Sequence, residues 1–392
     1  MVHQLNKAGS GRRSMLLTDP APTIVIRIAG LALAITFATP LAAQQQPVPA
    51  ELTAAAVADP QWQVARFSWG DPDFEGTFTS RDMSGIPMER PARYGESEKM
   101  TEEEFIARAT GGPAGLAALR AGDEFEGEER LQLSALDSSE VGTRTFGYNS
   151  YLIDPPDGRM PALTEEGQRR RANYRGGQSE GPYFTTENFS YYDRCITRGV
   201  TGSILPSLYG DAMRIVQSPT EIAISYEMLH DTRIIPLDRN DFPGSGVRQY
   251  MGLSVGHFEG DTLVVETRNL TDKIAVARVP HSEDAVLTER FTRIDPDMID
   301  YVVTVDDPRT YEQPWTFRLT LTTQPDYEIL EYSCHEGNFF VANALRAEKN
   351  FQQSVEEALA NGEVPPERYV PSTTLDIYQA PSSDEAVDIN SR

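Results

Sequence analysis

The run Leu253-Ser254-Val255-Gly256-His257-Phe258-Glu259-Gly260-Asp261-Thr262-Leu263-Val264-Val265-Glu266-Thr267-Arg268 decides the fold class. Two stretches rich in β-branched and aromatic residues flank Glu259-Gly260-Asp261. So short a link can join only antiparallel strands. Working outward, the same grammar repeats and predicts strands at Met213–Gln217, Glu221–Leu229, Thr232–Leu237, Gln249–Glu259, Thr262–Arg268, Val286–Ile294, Met298–Val305, Trp315–Thr322 and Tyr327–Cys334. Asp295-Pro296-Asp297 and Asp306-Asp307-Pro308 supply turns between them. Phe317, Leu319 and Leu321 form one face of their strand, while Thr316, Arg318 and Thr320 form the other. A mainly β protein is expected. Such a meander hides its edges most economically as an up-and-down, lipocalin-like barrel or a strongly curved sheet.

Ahead of this region, residues 44–140 read as an acidic, irregular and partly helical extension, and the antiparallel domain is placed at 141–336. Thr101-Glu102-Glu103-Glu104 has the spacing of a capping box, and Thr164-Glu165-Glu166 opens a second helix over Leu163–Tyr174. A strand is expected between Gly142 and Ile153, closed by the turn Asp154-Pro155-Pro156-Asp157-Gly158. After the β region a helix is expected within 337–362, then an acidic, Pro-containing tail at 363–392.

The first 43 residues carry Arg27 ahead of an apolar run that ends in Pro40-Leu41-Ala42-Ala43, the pattern of a secretory signal cleaved near Ala43. The run is too short and too rich in small residues for a stable membrane span. A periplasmic or secreted location follows. Arg12-Arg13 lies too far from the apolar run, across Asp19, Pro20 and Pro22, to favour twin-arginine export over the general route. The whole chain has a formal net charge of −24, and losing the leader makes it more acidic. Nucleic acid is excluded as a partner, because the only basic run, Arg169-Arg170-Arg171, reads as a solvated helix face.

Cys195 and Cys334 are an even pair in an exported chain, which favours a disulfide. The competing reading is a free nucleophilic Cys334 activated by His335. Neighbours on a strand point to opposite faces, which argues against that contact.

Four histidines lie beyond the leader: His230, His257, His281 and His335. His230-Asp231 sits between two predicted strands, where the carboxylate could orient the imidazole as a general base or simply shape a turn. His257 is in phase with Val255 and Leu253, which would aim it at a barrel interior. His335-Glu336 follows a strand end, although Glu336 and Asn338 could equally cap the next helix. His281, between Pro280 and Ser282-Glu283-Asp284, reads as exposed and idle. Glu227 and His230 have the E-x-x-H spacing, but on a strand they point apart, so no metal site is expected. Phosphate-loop, dinucleotide and nucleophile-elbow motifs are absent from the sequence, and no cofactor is expected.

Tyr226 to Asp238 (containing His230-Asp231-Thr232-Arg233-Ile234-Ile235-Pro236-Leu237), Gly256 to Thr267, Leu287-Thr288-Glu289-Arg290-Phe291 and Tyr332-Ser333-Cys334-His335-Glu336-Gly337-Asn338 occur in this order. Together they resemble a large uncharacterised family of exported bacterial proteins, over about Asp154 to Ala347. The resemblance implies export and supplies no reaction. From the residues themselves, the expectation is an exported small-molecule enzyme with cofactor-free acid-base chemistry, such as elimination, isomerisation or hydrolysis. In it His230, His257 and His335 share acid and base roles, with Asp231 and Glu336 as carboxylate partners. Arg248 would hold an anionic group, with Tyr250, Glu289, Arg290 and Asn338 as further binding residues. Glu289 and Arg290 alternate faces, so at most one enters a cavity. The alternative is a non-catalytic, lipocalin-like carrier for a small apolar ligand.

Overall fold

A computed structural model describes residues 62–107, 147–174, 182–207, 209–239, 241–244, 246–276, 279–323 and 327–368. These belong to one compact unit, Gln46–Arg392. The candidate signal segment and the acidic tail from residue 369 fall outside the described residues, as does most of the predicted strand starting at Gly142.

Alternating apolar residues and tight turns produce a ten-stranded antiparallel sheet nearly closed into a barrel. Its strands are β1 (Gly76–Thr79), β2 (Leu152–Asp154), β3 (Ala212–Gln217), β4 (Glu221–Tyr226), β5 (Thr232–Pro236), β6 (Leu253–Glu259), β7 (Thr262–Arg268), β10 (Val286–Asp295), β11 (Met298–Asp306) and β12 (Trp315–Thr323). A separate two-stranded ribbon pairs β8 (Ala275–Val276) with β9 (Val279–Pro280). The path around the wall is β5-β4-β3-β1-β12-β11-β10-β7-β6, and β2 shares an edge of β12 with β1.

Nine strands that alternate in direction leave the first and last, β5 and β6, running the same way. They share no ladder. Side chains close the seam instead: a Cβ on Gly256 would lie 2.8 Å from Ile235 Cγ2 and 3.2 Å from Leu237 Cδ2. The glycine lets the β5 side chains lie directly on the β6 backbone.

The interior is apolar through most of its height, with Phe78, Ile224, Phe291, Val303, Trp315 and Leu319 fully buried. The links β4–β5, β7–β8 and β11–β12 gather at one end, called here the upper end. Those at Ser218, Gly260 and Pro296 gather at the other. Near the upper end the helical turn Gly199–Gly202 and Ile204 place Val200 and Ile204 in the same buried cluster as the barrel. Helix α1 (Glu165–Asn173) begins at Thr164, whose Oγ1 accepts from the Gly167 amide at 3.0 Å. The Thr101 box also forms, with the Thr101 amide donating to Glu104 Oε2 at 2.9 Å and the Glu104 amide to Thr101 Oγ1 at 3.2 Å. Helix α2 spans Phe340–Asn361 and ends on Gly362 in the left-handed conformation.

Two expectations are corrected. Tyr327 to Cys334 is not a strand: its tyrosines are drawn sideways, Tyr327 onto both oxygens of Glu227 and Tyr332 toward Tyr192, so side chains rather than a ladder fix its course. The strand predicted to reach Leu229 stops at Tyr226, because Leu229 and His230 adopt φ of 66° and 52° and turn the chain back. No helix among the described residues is long and apolar enough to cross a membrane.

Candidate functional site: a buried polar cluster under a capped barrel end

Six strands each contribute one inward polar side chain to the upper interior. Arg233 on β5 reaches past β6 and β7 to Glu289 on β10, with both guanidinium amino groups donating to the two carboxylate oxygens, at 2.5 and 2.9 Å. Tyr301 on β11 donates to Glu289 Oε1 at 2.8 Å, and Thr267 on β7 donates to Oε2 at 3.4 Å. Ser254 on β6 hydrogen-bonds Thr267 at 2.8 Å. Tyr226 on β4 completes the group and is 2% exposed. Its hydroxyl approaches Arg233 without a hydrogen bond of good geometry, and neither it nor Arg233 Nε has a partner among the described residues.

The electrostatics follow from burial. Desolvation opposes the Arg233 charge, but the Glu289 carboxylate outweighs it and holds the guanidinium above its ordinary value. Desolvation, then the Glu289 charge, raises Tyr301, and desolvation raises Tyr226. Both phenols are therefore hydrogen-bond donors at any physiological pH.

Above this cluster, Thr197 in the capping segment donates to Asp231 Oδ2 at 2.6 Å. Asp231 is raised by desolvation, which that hydrogen bond opposes. The segment is tied down further by the Cys195–Cys334 disulfide. A free Cys334 nucleophile is thereby excluded.

The imidazoles do not converge on this interior. His230 is exposed on the β4–β5 turn at the upper end, its ring edge-on to Tyr332 at 6.3 Å. His257 lies near the lower end, its side chain 62% exposed and 3.3 Å from Glu259. The inward row of β6 is Ser254, Gly256 and Phe258, so the expectation that His257 faced the interior is corrected: Leu253, Val255 and His257 form the outer row. His335 and Glu336 are exposed. Asn338 does not cap α2, whose N-cap is Phe339 without a side-chain bond; it donates instead to the Asp193 carbonyl at 3.0 Å.

The remaining candidates also separate. Arg248 is committed to the carbonyls of Leu270 and Glu283 and to the Glu283 carboxylate. Tyr250 packs against Tyr191 with ring centroids 5.1 Å apart. Glu289 points inward and Arg290 outward, where Arg290 pairs with Glu259 at 2.8 Å. His281, expected to be exposed, is 2% exposed, and desolvation lowers its pKa. It abuts Ser282, whose Oγ and amide both donate to Asp307 at 2.6 Å. Ser282 also lines a polar cleft of about 400 Å³ with Glu166, Arg170 and Arg309, but there Glu166 already pairs both arginines. Among the described residues no group of three or more His, Cys, Asp or Glu is placed to hold a metal ion.

Arg233, Tyr226, Tyr301, Thr267 and Ser254 were not anticipated as site residues. A signal for some of them was present: Glu289 interrupts the row Leu287, Phe291, and Thr267 ends the row Leu263, Val265. A polar residue in the inward phase of a strand must find an inward partner. Compared with known proteins, the chain matches no family model, no curated protein and no solved structure.

Proposed function

We propose that this is an exported small-molecule-binding barrel whose ligand presents a carbonyl or carboxylate oxygen to the upper interior. One observation carries the reading. Tyr226 and Arg233 Nε each have an unmet hydrogen-bonding capacity in a buried setting, where an unmade bond costs about 1–3 kcal/mol. Closing the two on each other would satisfy Nε–H with the phenol oxygen, yet the phenol proton would still lack an acceptor. An oxygen of the ligand supplies it, beside a cation that suits a partial or full negative charge. Binding rather than histidine catalysis is favoured, because His230 and His257 sit at opposite ends of the barrel and both, with His335, are exposed. Loading requires the segment through Thr197 to lift from Asp231.

The test is native mass spectrometry and thermal denaturation of the mature chain against pooled small carbonyl and carboxylate compounds. A bound compound that raises the melting temperature of the parent but not of Tyr226→Phe supports the assignment. If no compound binds and a crystal structure shows one ordered water accepting from Tyr226, the cluster is structural and the reading fails.

A further inference from the structure

Five tyrosines from four separate segments gather on the outside of the upper end, beside the disulfide. Tyr192, Tyr209 and Tyr332 bring their hydroxyls together, Tyr192 lying 3.3 Å from Tyr209 and 3.4 Å from Tyr332. The Tyr209 and Tyr332 rings are nearly parallel, 18° apart with centroids at 6.2 Å. Tyr191 and Tyr250 form a second pair, with the Arg194 guanidinium 4.5 Å from the Tyr191 centroid. Tyr209 is 52% exposed and Tyr250 37%.

Three properties define what fits. O–H···O bonds are ordinarily about 2.7–2.8 Å, so the three phenols hold one another loosely and a further hydroxyl would bond them better. Desolvation first, then the neighbouring phenols, raises Tyr192, and desolvation raises Tyr332, so these two phenols keep their protons. The carboxylates of the surrounding segments are hydrogen-bonded: Asp193 by Ser190, Asp231 by Thr197, Glu187 by Arg194 and Glu331 by Ser333. The surface therefore offers flat ring faces and hydroxyls that both donate and accept, with the Arg198 guanidinium 5.9 Å from the Tyr192 ring centroid.

We propose that this tyrosine surface binds a neutral saccharide, stacking a sugar ring on Tyr209 and inserting a sugar hydroxyl into the phenol triad. The match is one of chemistry. Sugar hydroxyls are also donor and acceptor at once, and the C–H faces of a pyranose lie flat on an aromatic ring. An acidic glycan is disfavoured by the charge of the chain, −24. The site lies outside the barrel and does not depend on an interior ligand.

Affinity electrophoresis of the mature chain through gels containing a soluble neutral polysaccharide (dextran, galactomannan or β-glucan), with an acidic polysaccharide in parallel, tests this directly. Retardation by at least one neutral polymer is expected. Tyr209→Ala should weaken it about tenfold, and Tyr332→Phe by less. Trp69→Ala, at an exposed stack near the opposite end, should leave it unchanged. Circular dichroism of the Tyr209 variant, which removes an exposed ring, checks that the fold persists. No retardation in any neutral polymer, retardation only in the acidic gel, or equal retardation of Tyr209→Ala would overturn the proposal.

Discussion

Replacing Arg233 with methionine should be among the most destabilising single changes in the barrel. The side chain is 3% exposed and Glu289 is 0% exposed, so truncating the cation leaves a carboxylate buried with only Tyr301 and Thr267 to stabilise it. Breaking such a pair by removing one partner costs about 3–5 kcal/mol. The seam adds to the local effect, because β5 and β6 share no ladder and Arg233 is a direct tie from β5 across to β10. Glu289→Leu should cost a similar amount by stranding the guanidinium. The double variant Arg233→Met with Glu289→Leu should recover most of the loss, since matched apolar replacement of a buried ion pair is often neutral. Urea denaturation of the four proteins closes a double-mutant cycle, with an expected coupling of about 5 kcal/mol or more, the two single losses less the small loss kept by the double. Each single variant costing under about 1 kcal/mol, with additive behaviour, would show the pair to be hydrated rather than buried and would remove the basis for an interior site.

Three further outcomes are expected. Gly256→Ala should lose about 1–3 kcal/mol, read by urea denaturation, because its Cβ would sit 2.8 Å from Ile235 in the seam; an unchanged midpoint would mean that β5 and β6 are not packed together. The double serine variant of Cys195 and Cys334, which are 139 residues apart, should lose up to about 5 kcal/mol by the loop-entropy argument, and reductant should lower the parent's stability toward the same value without affecting the variant. For His281 the folded pKa lies below the ordinary 6.5 because burial disfavours the imidazolium, against the opposing pull of Asp307 and Asp272. The unfolded chain therefore takes up the proton first, so stability is complete above pH 6.5 and falls as pH drops below it, by at most about 1.4 kcal/mol per unit from this group. His281→Gln should flatten that part of the pH–stability curve, and an unaltered slope would assign it to other groups.

The wall of the barrel was legible because period-2 alternation and hairpin chemistry are local. Thr262–Arg268 has its sequence-derived ends, and β10, β11 and β12 differ from expectation by a single residue at one end. Alternation does not say which of two rows faces in when both carry apolar residues. On β6, Leu253 and Val255 pointed to the wrong row, and His257 was misplaced with them. The missing information was long-range: Gly256 is the residue that a neighbouring strand must lie against, and only the closed wall shows that neighbour to be β5. His281 failed for a similar reason. Its flanking Pro280 and Ser282-Glu283-Asp284 look like a solvated turn, yet Asp307, from a different link, takes both Ser282 donors and holds His281 and Ser282 buried, while Glu283 and Asp284 stay exposed.

The parity of the wall connects these observations. An even number of alternating strands can close with an antiparallel ladder; nine cannot, and β5 and β6 form no parallel ladder either, so closure there comes from side chains. At mid-height Ile235 and Gly256 do this by close packing. Higher up, where the links of the upper end admit polar groups, the same task falls to Arg233 and Glu289, and their charges bring Tyr301, Thr267 and Ser254 inward to satisfy the remaining hydrogen-bonding positions. Tyr226 is left over because its strand ends at the turn built by Leu229 and His230. A polar cluster placed for closure thus retains two donors that closure does not use, the Tyr226 hydroxyl and Arg233 Nε, and that surplus is where recognition can act without altering the wall.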